Sequence, residues 1–181
     1  DTFVQEVISI HPDLVVLSGD LTFNGEKISH EMLCKKLSMI EKSGIQVCVI
    51  PGTHDIENSY ARKYEGDEVL FTGSISRNDF FRQYDMFGID EALYRDNDSF
   101  SYVCQVDTDT WMLLLDVNAS SIDNAVSQDT LVWLEEVLQE SRRMGVDVIS
   151  VTHQNLLQQS LFKDGFIISN AQSVIDLFDQ Y

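Results

Sequence analysis

The chain has little cysteine and few basic residues. Its 181 residues include three cysteines and twelve Lys or Arg against thirty Asp or Glu, giving a net charge of −18. Three cysteines without Cys-x-x-Cys spacing form no disulfide framework and favour a reducing, cytoplasmic compartment. The acidic excess argues against a nucleic-acid partner. No apolar run approaches the length of a membrane span and no signal peptide is visible, so a leader or lipid anchor would have to lie outside this sequence.

The first half of the sequence has the pattern of one βαβ unit. Apolar runs at 14–17 and 45–50 predict two strands, and apolar residues at helical spacing over 26–42 predict the helix between them. Gly44 is the predicted C-cap of that helix. Because such a connection is right-handed and joins parallel strands, the two predicted strands are expected to end at the same edge of a sheet.

Two short polar motifs follow these predicted strands. Leu-Ser-Gly-Asp-Leu-Thr occupies 17–22, and Pro-Gly-Thr-His-Asp occupies 51–55. Asp20 and His54 are therefore expected at the carboxyl ends of neighbouring strands, where open α/β sheets place their ligand sites. A third apolar run, at 148–152, is followed directly by His153. Imidazole nitrogen suits zinc, iron or manganese, and a bridging carboxylate can hold two such ions close together.

These motifs, in this order, resemble those of the calcineurin-like metallophosphoesterases. The resemblance implies an α/β sandwich of mixed sheets flanked by helices, with two divalent metal ions, Mn, Fe or Zn, as cofactors. It implies that Asp20 bridges both metals, that His153 is a further ligand, and that His54 contacts the phosphate or protonates the leaving group. Thr53 stands where the family has a metal-binding Asn, and Gln154 where it usually has His or Tyr.

Two further motifs of that family, Asp-x-His near its start and Gly-His-x-His near its end, are not found in this sequence. The resemblance therefore predicts that residues 1–181 are a partial catalytic domain, truncated at both ends. The implied function is metal-dependent hydrolysis of a phosphate ester, a small-molecule phosphodiester such as a cyclic nucleotide or a glycerophosphodiester. Two alternatives stay open: a degenerate member acting as a binding or regulatory module, and a flavodoxin-like or receiver-type domain binding one Mg²⁺.

Other polar residues near the predicted strand ends have simpler interpretations. Asp116 is interpreted as a turn carboxylate that accepts backbone N–H groups. Asp55 is expected to orient its loop or the His54 ring rather than to contact metal. Asn24 is interpreted as a turn residue. Arg62 and Lys63 could contact an anionic substrate, although a solvated pair in a loop is the preferred interpretation.

The rest of the sequence divides into short predicted elements. Residues 57–76 have no sustained period and are predicted to form a substrate-side loop. An antiparallel strand pair is expected over 99–106 and 111–115. Helices are predicted over the following four ranges: 2–10, 77–87, 130–144 and 171–180.

Overall fold

A computed structural model describes residues 2–122, 124–158 and 166–181 of the chain. It consists of two compact units, Asp1–Glu91 and Ala92–Tyr181. Among these described residues, the first unit contains two two-stranded sheets and the second contains one four-stranded sheet, each unit with its own helices. None of the helices within the described ranges has both the length and the apolar composition of a membrane span.

The first unit is built on a parallel pair of strands with a helix between them. The strands pair in register from Leu14 with Gln46 to Leu17 with Val49. This confirms the predicted βαβ unit. The elements of the first unit are α1 (Thr2–Ile10), β1 (Leu14–Leu17), α2 (Lys27–Glu41), β2 (Gln46–Val49), β3 (Arg62–Glu65), β4 (Glu68–Phe71) and α3 (Arg77–Tyr84).

The apolar face of α2 explains why this segment is helical. Leu37 and Ile40 are buried, so the helical period seen in the sequence is the packing face. The predicted C-cap was placed two residues too late. Lys42 is the C-cap, and Gly44 lies beyond it with φ +88°, its N–H donating to the carbonyl of Glu41 at 2.9 Å.

The range 57–76, predicted as a loop without regular structure, contains an antiparallel hairpin. Strands β3 and β4 pair from Arg62 with Phe71 to Glu65 with Glu68. The turn is Gly66 and Asp67, and Gly66 adopts φ +62°, which suits glycine. The hairpin escaped prediction because most of its side chains are exposed, so the sequence has no alternation of apolar and polar residues there.

Helix α3 ends three residues before its predicted end at Phe87. It begins with a capping box, in which Ser76 and Asp79 bond each other's backbone N–H groups. It ends because Gly88, with φ +98°, lies within an irregular turn at Asp85–Ile89. The apolar stripe of this region, Phe80, Phe81, Tyr84 and Phe87, is core as predicted, with Phe80, Tyr84 and Phe87 fully buried.

The second unit has a four-stranded mixed sheet. The strand order is β5-β6-β7-β8; the first two pairs are antiparallel, and β7 and β8 are parallel. The predicted antiparallel pair is confirmed as β6 and β7. The elements of the second unit are β5 (Tyr94–Arg95), β6 (Tyr102–Gln105), β7 (Thr110–Leu115), α4 (Gln128–Met144), β8 (Asp147–Thr152) and α5 (Ala171–Gln180).

Helices α4 and α5 pack on this sheet through apolar side chains. Leu113 and Leu115 of β7 share one buried cluster with Leu134 and Val137 of α4 and Val174 of α5. Burying aliphatic side chains of this size stabilises a fold by about 1.5–3 kcal/mol each, before entropy is counted. The polar residues that follow β7 and β8 therefore lie at the end of a well-packed scaffold.

Candidate active site

Asp20 and His54 lie in the loops that follow β1 and β2. Parallel pairing of the two strands brings these loops to the same edge. Asp20 has φ +51°, an uncommon backbone conformation for a residue other than glycine, and it follows Gly19 with φ +96°. The Asp20 Oδ1 atom accepts the backbone N–H of His54 at 3.1 Å. The predicted meeting of these two residues is confirmed; their roles remain predictions.

Thr53, the third predicted residue of this edge, precedes His54 directly. Thr53, His54 and Asp20 are all exposed. A residue with a hydroxyl, one with an imidazole and one with a carboxylate are thus exposed in the two loops at this edge. Exposed side chains at this edge can reach a ligand without displacing the core.

Asp55 is the residue that holds the two loops together. It is fully buried, and its carboxylate accepts the backbone N–H of Gly52 at 2.8 Å, of Leu21 at 3.1 Å and of Thr22 at 2.9 Å. The Thr22 hydroxyl donates a fourth hydrogen bond at 3.2 Å. Hydrogen bonds to a charged acceptor are about twice as strong as neutral ones. The prediction that Asp55 orients its loop is therefore confirmed.

His30 supports this arrangement from α2, although no function was predicted for it from the sequence. Its Nε2 lies 3.0 Å from the backbone carbonyl of Asp55, and its Nδ1 lies 2.7 Å from the hydroxyl of Tyr84. A carbonyl only accepts, so Nε2 donates and Nδ1 of the neutral ring accepts from Tyr84. Desolvation by burial lowers the pKa of His30, and hydrogen bonding to Asp55 opposes this only in part. The ring is therefore a neutral bridge.

A signal for His30 was present in the helical period. His30 lies seven residues before Leu37 and ten before Ile40, which places it on the buried face of α2. A buried histidine needs polar partners, because an unpaired ring nitrogen in the core is costly. The partner could not be named from the sequence, since Tyr84 lies 54 residues away.

Glu26 is a second buried carboxylate near these loops. Its Oε2 accepts the N–H of Asn24 at 3.0 Å, and its Oε1 accepts the N–H of Arg62 at 3.3 Å. The turn interpretation of Asn24 is confirmed. Gly25, with φ +69°, must be glycine here, since an added Cβ would lie 2.7 Å from the carbonyl oxygen of Asp55. Glu26 therefore ties the loop after β1 to the β3 strand.

The candidate residues of the second unit follow the ends of its two parallel strands, β7 and β8. Asp116, buried after β7, accepts the N–H groups of Phe100 at 2.9 Å, Asn118 at 2.8 Å and Ala119 at 3.1 Å. This confirms its interpretation as a turn carboxylate. His153 follows the last residue of β8 and is half-buried. Its role as a metal ligand remains a prediction.

Gln154 and Asn118 join the loops after β8 and β7. Asn118 Nδ2 lies 3.2 Å from Gln154 Oε1, and Gln154 Nε2 lies 2.7 Å from Asn118 Oδ1. Each amide thus donates to the other and accepts from it. Gln154, the departure from the family motif, has a structural partner that fixes the backbone beside His153.

The donor atoms are suited to divalent metals in type, but they do not form a complete site. Over residues 2–122, 124–158 and 166–181, no three His, Cys, Asp or Glu side chains form a group that could hold a metal ion. The Asp20 carboxylate and the His153 imidazole are nevertheless ligand types that Mn, Fe and Zn accept. The described residues therefore contain donor types that suit these metals, without a group of three that could hold one.

Comparison with known proteins agrees with the family that the sequence motifs resemble. Residues 1–174 match the model of the calcineurin-like phosphoesterase family. A probable cyclic nucleotide phosphodiesterase of Ruthia magnifica subsp. Calyptogena magnifica is 38% identical over 56 residues, which are 31% of this chain and 23% of that protein. A dimetal phosphatase from Danio rerio has a similar fold, with a TM-score of 0.64 and 13% identity, over 98% of this chain and 66% of that one. The chain thus spans less than two thirds of the length of either relative. The similar fold confirms the predicted α/β class.

Proposed function

Since this chain belongs to the calcineurin-like phosphoesterase family, we propose that it contributes to a metal-dependent hydrolase of phosphate esters. The proposed substrate is a small-molecule phosphodiester, and the proposed cofactors are two divalent metal ions. The observation that carries the proposal is the contact between the Asp20 carboxylate and the His54 backbone N–H at 3.1 Å. It unites the two family motifs of the first unit at one sheet edge.

Asp20 and His153 are the proposed metal ligands of this chain, with Thr53 at the family's Asn position as a weaker one. Carboxylate and imidazole favour Mn, Fe or Zn. When bound, two such ions polarise a phosphoryl group and assist the ionisation of water. Asp55 would hold Asp20 and Thr53 in place, because its carboxylate fixes the loops that carry both.

His54 is proposed to hold the proton that the leaving oxygen needs. Imidazole is the side chain that catalysis uses most often for proton transfer. The backbone of His54 is fixed by Asp20, while the residue itself is exposed to a ligand. Its imidazole is therefore available for a proton transfer that does not disturb the core.

The preference for a diester is supported by one relative. The Ruthia protein, a probable cyclic nucleotide phosphodiesterase, shares 38% identity with this chain over 56 residues. That similarity concerns less than a quarter of the relative, so it favours a diester over a monoester without naming the alcohol.

A second candidate function is that of a non-catalytic binding or regulatory module. It is favoured by Thr53, which stands at a family ligand position, and by Gln154, whose amide is paired with Asn118. The lack of a three-ligand group among the described residues agrees with it. Substrate would then be bound and not cleaved.

Metal content and turnover of the protein test the two functions against each other. The protein is loaded with Mn²⁺, desalted and assayed with bis(p-nitrophenyl) phosphate, alongside Asp20→Asn and His54→Gln. His11→Asn is the matched control, because His11 is exposed with φ +50°, a conformation that Asn tolerates.

Catalysis predicts Mn²⁺-dependent turnover that Asp20→Asn and His54→Gln lower at least a hundredfold and His11→Asn leaves unchanged, with less retained metal in Asp20→Asn. Turnover unaffected by either variant would overturn the assignment. Retained metal without turnover would favour the binding module, and Thr53→Asn would then be expected to restore activity if position 53 alone had decayed.

A further inference from the structure

An open groove of about 520 Å³ lies in the first unit, beside the loop that follows β1. Two segments of the chain line it and are called its walls: Phe23 and Glu26 with the first turn of α2 at Ile28 and Ser29, and residues Arg62 to Tyr64 of β3. Phe23 is only three residues after Asp20 along the chain, so the groove begins next to the candidate active site.

The groove walls expose apolar and aromatic surface. Phe23 is 75% exposed, Ile28 55% and Tyr64 66%. Single exposed apolar residues are ordinary, but a group of them lining one concavity is typical of a ligand site. Phe23 and Tyr64, one from each segment that lines the groove, offer ring faces for a planar group.

Arg62 places a guanidinium at the groove, which the Glu26 carboxylate and Lys63 also line. Its guanidinium carbon lies 4.4 Å from the centroid of the Phe71 ring and 5.9 Å from that of Tyr60. Stacking on aromatic rings holds a guanidinium in a defined position while leaving its N–H donors for a ligand. By contrast, Arg82 and Arg143 are in ion pairs with carboxylates. Within the part of the chain that the structure describes, no carboxylate is paired with Arg62.

The two walls are held in a fixed relation by Glu26. Its buried carboxylate accepts the N–H of Asn24, next to Phe23, and the N–H of Arg62. The backbone bridge between Glu26 and Ser74 joins the same loop to the chain after the hairpin. The groove is therefore a built feature of the loop and the hairpin, and not a gap between independent segments.

We propose that this groove binds the nucleoside portion of the substrate ester, which rests on the proposed phosphoesterase function. A purine or pyrimidine would stack on Phe23 or Tyr64, and Arg62 would donate to acceptor atoms of the base. An aliphatic alcohol could use the apolar walls, but it would offer no acceptor array to the N–H donors of the guanidinium. A base supplies both a planar face and hydrogen-bond acceptors, so it matches both elements of the groove.

Binding of three probes to the wild-type protein tests this proposal. Adenosine 5′-monophosphate has base and phosphate, ribose 5-phosphate lacks the base, and adenosine lacks the phosphate. Calorimetry gives the affinities of the two phosphates, and chemical-shift changes at Phe23 and Tyr64 report adenosine. The nucleotide is expected to bind about tenfold or more tightly than ribose 5-phosphate, as base stacking on an aromatic side chain predicts.

Two variants and two controls assign the effect to the groove. Phe23→Ala and Arg62→Gln should each weaken nucleotide binding about fivefold to tenfold and leave ribose 5-phosphate unchanged. Phe3→Ala removes an equally exposed ring of α1 outside the groove, and Arg82→Gln removes a guanidinium from α3. Neither control should alter the affinity for any probe.

The groove and the phosphoesterase function fail in different ways. Equal affinities for nucleotide and ribose 5-phosphate, or no adenosine shifts at Phe23 and Tyr64, would overturn the groove proposal. Adenosine binding that Phe23→Ala abolishes, with no binding of ribose 5-phosphate, would support the groove and contradict the phosphate site. Equal losses with Phe3→Ala and Phe23→Ala would also overturn the groove as the binding surface.

Discussion

The two units fix the loops at the ends of their parallel strands by different chemistry. In the first unit, the buried Asp55 carboxylate joins the loops after β1 and β2 through four accepted hydrogen bonds. In the second, Asn118 and Gln154 join the loops after β7 and β8 through a neutral pair of amides. The same topological position therefore carries a charged connection in one unit and an uncharged one in the other.

The difference shows what each connection depends on. A buried carboxylate is stable only while every donor around it stays in place, because a buried charge without partners is strongly destabilising. An amide pair carries no charge, so losing one partner costs the hydrogen bonds of a single polar group. We therefore expect the loops carrying Asp20 and His54 to be more sensitive to substitution than the loop carrying His153.

The largest effect is expected from Asp55→Ala. It removes a fully buried acceptor that holds one buried and two partly buried backbone N–H groups, so the free energy of unfolding should fall by about 3–5 kcal/mol. Urea denaturation monitored by circular dichroism measures the change. Asp55→Asn, which keeps the shape and one acceptor oxygen, should cost less. A loss under about 1 kcal/mol for Asp55→Ala would show that the charged connection is no stronger than the neutral one.

Substitution of Asn118 or Gln154 should destabilise the protein less than Asp55→Ala. Asn118→Ala and Gln154→Ala are each expected to lower the free energy of unfolding by about 1–2 kcal/mol. The double variant should cost less than the sum, with a coupling energy of about 1 kcal/mol. Thermal unfolding of the four proteins completes the cycle. Strict additivity would mean that the two amides do not act as a unit.

The stability of the first unit, whose loops are joined by Asp55, should also depend on pH because of His30. Burial lowers the pKa of His30 below its ordinary 6.5, so the folded state binds fewer protons than the unfolded state at acidic pH. Its contribution to stability is complete above pH 6.5 and declines as the pH falls from there toward the lowered pKa. The slope from this one group is at most about 1.4 kcal/mol per pH unit.

Urea unfolding between pH 7.5 and 5.5 checks the role of His30. The wild type should lose more stability over this range than His30→Gln, which cannot titrate. His11→Asn alters an exposed histidine and should keep the wild-type slope. Identical slopes for wild type and His30→Gln would contradict the prediction.

The smallest difference is expected between the helix caps of the two units. Ser76 of α3 and Ser127 of α4 both accept an N–H at 3.1 Å, and each hydroxyl also donates to a side chain, Asp79 at 2.7 Å and Thr130 at 3.1 Å. They differ in burial, since Ser127 is buried and Ser76 is only partly buried. Ala at either position should lower the free energy of unfolding by about 1 kcal/mol, with the larger loss at Ser127. Calorimetric melting of both variants measures this. A larger loss at Ser76 would reverse the expected order.

The sequence predicted elements whose apolar residues have a clear period. The βαβ unit, the β6–β7 pair, α4 and α5 were recognised because their apolar residues are the ones that are buried. The β3–β4 hairpin was missed because its side chains are mostly exposed. A signal was nevertheless present, since Gly66-Asp67 is a two-residue link of the kind that joins hairpin strands.

The positions of the candidate site residues could be predicted from the sequence, but the residues that hold their loops in place could not. Asp20 and His54 could be placed because each directly follows a strand whose partner was evident. His30 and Glu26 could not be assigned, because their partners Tyr84 and Arg62 are 54 and 36 residues away. Contacts of that range depend on tertiary packing, which local patterns do not encode.

The Asp55 carboxylate has a consequence for how the loops exchange their amide hydrogens. Leu21, Thr22 and Gly52 lie outside any strand, yet their N–H groups are held by a residue that forms its bonds only when β1 and β2 are paired. Their exchange with solvent therefore requires the sheet edge to open. In kinetic terms these loop residues should exchange together with the paired strands, although they lie directly next to residues that are exposed to ligand.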